Sequence, residues 1–169
     1  MGKRRTARES ALQILFELEF NDADLDILLA RYWKDKKADG PIQEYADWLV
    51  RGTVSRKADV DGLIQGSSKH WRISRMPFVD RNILRIAVFE FLEEKLVAPA
   101  VIINEAIEIA KRYSGDRAAV FVNGVLDAVR KKIEAVRPKQ ERIDVNANER
   151  TKQTPKKKSA RSGGRTKKK

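Results

Sequence analysis

Residues 3–18 read KRRTARESALQILFEL, and this stretch decides how the rest of the chain is interpreted. Its apolar residues recur at helical steps, as in a helix that packs one face against a core: Ala7, Ala11, Ile14, Leu15 and Leu18. Thr6 and Glu9 have the spacing of a capping box. We therefore predict a first helix that begins at Ala7, just after Thr6, and continues to about Phe20.

The same stretch carries four cations at the start of that helix: Lys3, Arg4, Arg5 and Arg8. A helix N-terminus already presents about half a positive charge, so cations there cost the helix roughly a few tenths of a kcal/mol each. A sequence selected only for stability would place acids at this position. We infer that this basic tip, residues 3–8, meets an anion, and a nucleic-acid backbone is the anion that we favour.

The net charge of +12 is concentrated at the two ends of the chain. Residues 3–8 contribute +4 and residues 137–169 contribute +10, whereas residues 9–136 carry −2. This distribution predicts contact with RNA or DNA from the ends of a nearly neutral body. Residues 137–169 are almost without apolar side chains, so we expect a disordered basic tail that acts as a nonspecific polyelectrolyte arm.

The body is predicted to be all-α, with about seven helices in two small helical bundles, about 4–66 and 67–136. The most apolar element is the run 83–92, in which eight of ten residues are apolar, so we expect the central helix of the second bundle there. Apolar spacing from Ile42 to Ile64 predicts one long helix, which Gly52 and Gly62 weaken and near either of which it could break.

Three boundaries and one ambiguous segment complete the predicted body. Asp22 or Asp24 is expected to cap a second helix, and Pro99 fits the first turn of another. Ser114-Gly115 is expected to end that helix. The Asn123-Gly124 pair is a hairpin signal, but the flanking apolar residues follow helical steps, so we predict helix with Gly124 as a close-packing point.

Motifs for catalysis and cofactor binding are absent from the sequence. There is no cysteine and only one histidine, and no glycine-rich loop follows a strand. Glu105 and Glu108 share one helix face, but without a histidine and beside cations they are poor metal ligands. We predict a protein that is not an enzyme and binds no cofactor and no metal. The sequence also has no apolar run long enough to span a membrane, which predicts a soluble cytoplasmic protein.

Four segments are spread in order across residues 4–136: Arg4–Phe16, Trp71 with Arg75–Pro77 and Val79–Ala87, Pro99–Lys111, and Phe121–Asp127. Together they resemble the NusB transcription antitermination factors. The resemblance implies an all-α protein that binds boxA RNA of nascent ribosomal RNA transcripts. It also implies a partner, a small-subunit ribosomal protein acting as NusE, and read-through by RNA polymerase in an antitermination complex.

Carried over residue by residue, the resemblance assigns RNA contact to the basic tip, with Arg4, Arg5 and Arg8 as the main candidates and Lys3 beside them. The later signatures map to Asp80, Arg85 and Asp127, which are expected to touch RNA or the protein partner, or to pair with each other. Two alternatives stay open at this point. One is the RNA-binding module that heads certain ribosomal RNA cytosine methyltransferases, although no cofactor-binding α/β region follows here. The other is a helical protein–protein adaptor.

Overall fold

A computed structural model of the chain describes residues 2–34, 36 and 39–136, which form seven α-helices and one short 310 helix. The helices are α1 (Lys3–Leu18), α2 (Leu25–Lys34), α3 (Gly40–Ser55), α4 (Lys57–Ser67), α5 (Phe78–Glu93), α6 (Pro99–Ser114) and α7 (Asp116–Val136), with the 310 turn at Ile73–Arg75. The predicted all-α class is confirmed. The predicted tail, residues 137–169, lies outside the described residues.

Helix α5 lies at the centre of the packing, as its apolar sequence predicts. It contacts α1, α3, α4 and α6, and every residue from Asp80 to Phe91 is buried. Leu84 and Val88 are completely enclosed. Each such side chain contributes roughly 1.5–3 kcal/mol on burial. The contacts gather the chain up to Glu134 into one compact unit, and the division into two bundles near residue 66 stays a prediction.

Helix α1 begins at Lys3, four residues earlier than the capping box predicts. The box does not form: the Thr6 hydroxyl donates to the carbonyl of Gly2, and the Glu9 carboxylate accepts a hydrogen bond from Arg112 at 2.9 Å. A partner on α6 has therefore replaced the local cap. Because α1 begins at Lys3, three of the four cations lie in its first turn, and that turn contains no acid.

The predicted long helix is two helices, because the backbone breaks at Arg56 between α3 and α4. Other boundaries agree with the sequence. Asp24 caps α2 by accepting hydrogen bonds from the backbone N–H groups of residues 26 and 27. Pro99 starts α6, and Gly115 ends it with a φ of 95°, a conformation that favours glycine. Residues 120–129 are helical, so the hairpin is excluded.

The close-packing glycine is Gly52 and not Gly124. A Cβ placed on Gly52 would overlap the ring of Phe89, so α3 and α5 approach each other through this missing side chain. At Gly124 a Cβ would meet nothing within 4 Å. The prediction that Gly124 is a packing point is wrong, because the residue lies on an open side of α7.

Candidate nucleic-acid interface

The basic tip divides into two buried or braced arginines and two exposed cations. Arg8 is the most deeply placed: its Nε lies 2.9 Å from one oxygen of Glu90, and its Nη2 lies 2.6 Å from the other. Their side chains are only 4% and 1% exposed. Burial by itself lowers the pKa of Arg8, but the hydrogen bonds to Glu90 and the negative charges around the guanidinium together outweigh burial and raise the pKa. Arg8 is therefore a permanently charged residue that the fold encloses.

Tyr45 of α3 completes this buried group. Its hydroxyl donates to the Glu90 carboxylate at 2.6 Å, and its ring lies under the Arg8 guanidinium at 5.8 Å. Burial and then the neighbouring Glu90 charge raise the pKa of Tyr45, so the hydroxyl keeps its proton and remains a donor. The three residues tie α1, α3 and α5 together beneath the tip.

Arg5 is braced from the other side, by Glu105 of α6. The guanidinium and the carboxylate form two parallel hydrogen bonds of 2.7 and 2.8 Å, the geometry that makes arginine–carboxylate pairs strong. The bond from Arg5 is the main reason that the pKa of Glu105 falls below its usual value. Glu105 also lies 3.8 Å from Arg8, so one carboxylate serves both arginines.

Lys3 and Arg4 are the exposed members of the tip, with 67% and 49% of their side chains accessible. Lys3 lies 2.5 Å from Asp39, and Arg4 lies 3.6 Å from Glu94. An exposed ion pair such as Lys3–Asp39 contributes little, about 0–1 kcal/mol. The Arg4–Glu94 contact involves a carboxylate that is only 11% exposed, but at 3.6 Å it is too long for a hydrogen bond, so an external anion can compete for both cations. The four cations predicted to meet an anion are therefore not equally accessible: Lys3 and Arg4 are the most exposed, and Arg8 is enclosed.

Arg85 belongs to a second buried ionic group. It donates two hydrogen bonds to Asp61, at 2.7 and 2.9 Å, and a third to Glu19 at 2.8 Å. Its side chain is 7% exposed. Burial alone raises the pKa of Asp61, but the hydrogen bonds and positive charges of Arg85 and Lys57 together outweigh burial and lower the pKa. Arg85 therefore holds α5 to α4 and to the residue that follows α1.

Asp80 and Asp127 lie in different surroundings from Arg85. Asp127 pairs with Arg130 and Lys131 of its own helix at 2.8 and 2.7 Å, and 39% of its side chain is exposed. Asp80 is buried in the first turn of α5, and its Oδ1 has no hydrogen-bond partner among the described residues. The signature residues thus do not form one cluster, and the ion pairs that Arg85 and Asp127 make are with other residues.

Sequence reasoning missed the carboxylates and the tyrosine that support the tip: Tyr45, Glu90, Glu94 and Glu105. One of them leaves a signal. Glu90 is the only acid in the apolar run 83–92, and a carboxylate in a buried helix requires a cation. The identity of that cation, Arg8, depends on a contact 82 residues apart in sequence, which no local pattern encodes.

Within residues 2–34, 36 and 39–136, no group of three or more His, Cys, Asp or Glu residues could hold a metal ion. In the same residues no helix is long and apolar enough to cross a membrane. The helices define an all-α protein that presents two exposed cations, Lys3 and Arg4, at the tip of its first helix.

The chain belongs to the NusB family, whose family model matches residues 5–131. The Transcription antitermination protein NusB of Desulforapulum autotrophicum is 44% identical over 132 residues, which are 77% of this chain and 92% of that protein. The structure of T. maritima NusB is 39% identical and superposes with a TM-score of 0.70, covering 78% of this chain and 92% of that one.

The chain is also similar to a chain in the crystal structure of antitermination factors NusB and NusE in complex with dsRNA. The matched chain is 31% identical and gives a TM-score of 0.68, with 78% of this chain and 98% of that chain covered. The named relatives are antitermination proteins and not enzymes, so the prediction that this chain is not an enzyme is confirmed.

Proposed function

We propose that this chain binds boxA RNA of nascent ribosomal RNA transcripts together with a small-subunit ribosomal protein acting as NusE. In this proposal it joins an RNA polymerase antitermination complex in the cytoplasm and promotes read-through of terminators. Membership of the NusB family and the similar structure that contains NusB, NusE and dsRNA support the proposal.

The observation that carries the proposal is the exposure of Lys3 and Arg4 at the first turn of α1. Guanidinium and ammonium groups bind phosphate oxygens, and arginine also stacks on unpaired bases. Arg5 and Arg8 support this surface, because their bonds to Glu105 and Glu90 fix the turn that presents the exposed cations. In the proposal, Arg5 contacts RNA through its exposed edge, whereas Arg8 acts by positioning.

The later signature residues take different parts in the same proposal. Asp127 exposes its carboxylate and is the candidate for direct contact with RNA or NusE. Asp80 and Arg85 are buried, and we assign them the support of the surface around α5. Phosphate contacts give affinity without sequence choice, so preference for boxA requires base contacts or the surface shared with NusE.

The test is a titration of labelled boxA RNA and a scrambled RNA of equal length, with and without NusE. The wild-type chain is expected to prefer boxA, and NusE is expected to increase that preference. The Lys3→Ala/Arg4→Ala variant should bind more weakly. For a single strand each lost phosphate contact lowers the slope of log K against log salt by about 0.7.

The matched control is Arg31→Ala/Arg51→Ala, which removes the same charge from two exposed ion pairs elsewhere, to Glu17 and Asp26. This control is expected to retain most of the affinity. Equal loss in both variants would show that only net charge matters. Equal binding of boxA and scrambled RNA by the wild-type chain with NusE would refute the boxA assignment.

A further inference from the structure

A groove lies beside the basic tip, between the first turn of α1 and α3. Its volume is about 470 Å³, within the range of roughly 300–1,000 Å³ that small-molecule sites occupy. Six residues line it: Lys3, Arg4, Pro41, Glu44, Tyr45 and Trp48. Among these residues, two are cations, one is an acid and two are aromatic.

The aromatic wall of the groove is held in place from behind. The rings of Tyr45 and Trp48 stack with centroids 5.3 Å apart and planes 27° from parallel. Trp48 packs on the buried ring of Phe89 at 4.9 Å, and the Tyr45 hydroxyl is bonded to Glu90. Both rings remain partly exposed. Because their other sides are fixed, a ligand that stacks on them meets a preformed surface and does not have to order it.

The charged wall of the groove is the exposed half of the tip. The Arg4 guanidinium lies 5.0 Å from the centre of the Tyr45 ring, so a cation and an aromatic plane share one site. Lys3 adds a second positive charge, and Glu44 is the one acid in the lining. A ligand that matches both walls has a flat aromatic part joined to an anionic part.

We propose that this groove seats one unpaired base of a single-stranded RNA, which stacks on the exposed part of the Trp48 ring, beside Tyr45, while its phosphate contacts Lys3 and Arg4. The inference rests on the proposed function, because it assumes that RNA approaches the tip. It adds a site for base stacking to the cations, Lys3 and Arg4, that contact phosphate. Base–aromatic stacking is tolerant of sequence, since every base has a π face. The subsite therefore selects unpaired strands over duplexes, whose bases are already stacked.

The experiment uses the full chain and two substitutions of one residue. Trp48→Leu keeps apolar bulk but removes the π face, and Trp48→Phe keeps a ring. The probes are a labelled single-stranded boxA RNA and a strand of equal charge and length in which the bases are replaced by abasic units. We expect Trp48→Leu to weaken RNA binding about tenfold and Trp48→Phe to bind within about threefold of wild type.

The abasic strand separates stacking from charge. We expect the wild-type chain to bind it more weakly than RNA, and Trp48→Leu to leave its binding unchanged. Ile27→Ala, which shortens an exposed apolar side chain on α2, is the control for loss of surface area and should bind RNA as wild type does. Circular dichroism and the thermal midpoint show whether each variant is folded before its affinity is compared.

The outcomes are distinct from those of the boxA test. Equal RNA affinity of folded Trp48→Leu and wild type, or an equal loss for RNA and the abasic strand, overturns the subsite. If Trp48→Leu weakens boxA and scrambled RNA alike, and the wild-type chain does not distinguish the two, the subsite stands and the boxA assignment fails. Weaker binding by Trp48→Leu and near wild-type binding by Trp48→Phe support the subsite whichever sequence is bound.

Discussion

Replacing Arg8 with methionine is the sharpest test of how the tip is supported. The substitution removes the hydrogen bonds of 2.6, 2.9 and 3.1 Å that Glu90 accepts, and it leaves a carboxylate that is 1% exposed without its main partner. Breaking one side of a buried ion pair costs about 3–5 kcal/mol. A domain of this size is stable by only about 5–15 kcal/mol, so the loss is a large part of the total.

A double-mutant cycle isolates the pair. Glu90→Gln keeps a carbonyl oxygen that can accept the hydrogen bond from Tyr45, and Arg8→Met/Glu90→Gln removes both charges. We expect the double variant to be more stable than Arg8→Met by at least about 1.5 kcal/mol, because no uncompensated charge remains buried. Urea denaturation followed by circular dichroism measures all four free energies of unfolding.

Two results would refute this reasoning. One is an Arg8→Met variant within about 1 kcal/mol of wild type, and the other is a double variant whose loss equals the sum of the single losses. The expected loss of stability also limits which variants are suitable for RNA-binding assays. A variant that removes Arg8 with Arg4 and Arg5 would mix lost contacts with lost stability, so affinity is better tested with Lys3 and Arg4.

Gly52→Ala should destabilise the fold by about 1–3 kcal/mol through overlap with Phe89, whereas Gly124→Ala, on an open helical side, should be neutral or stabilising by up to about 1 kcal/mol; thermal unfolding compares them. The hydrogen bond from Arg5 lowers the pKa of Glu105, so the Arg5–Glu105 pair stabilises the fold fully above about pH 4.5 and less as the pH falls below it. In urea titrations, the difference in free energy of unfolding between wild type and Glu105→Gln should therefore narrow below that pH. Deleting residues 138–169, outside the described residues, should lower the salt slope of RNA binding but keep the preference for boxA; loss of that preference would make the tail a specific reader.

The sequence predicts the helices well because their signals are local. The apolar run 83–92 has too few polar residues for a surface helix, and it forms the buried α5. Pro99, Gly115 and the Asp24 cap each act within one turn of their own position. The errors come from the same cause: the Thr6–Glu9 box is also a local signal, and a more distant partner overrides it.

The site is harder to predict because its parts are joined over long distances in the sequence. A count of charges finds the basic tip, but not that Arg8 is enclosed by Glu90 and Arg5 is paired with Glu105. Likewise, Trp48 is an ordinary apolar position of α3 in the sequence. Only the fold places it beside Arg4, in the groove between α1 and α3.

The ion pairs of α1 also have a consequence for synthesis on the ribosome. The partner of Arg5, Glu105, lies 100 residues further along the chain, and the partner of Arg8, Glu90, lies 82 residues further. At about 5–20 residues per second, the first helix is without these partners for roughly 5–20 seconds after it emerges. During that interval its arginines lack these acids, although α3, on which α1 packs, has already been made. Helix α1 is thus made first, but its ion pairs are among the last contacts to form. A chain that stops before residue 105 lacks the acid that pairs with Arg5.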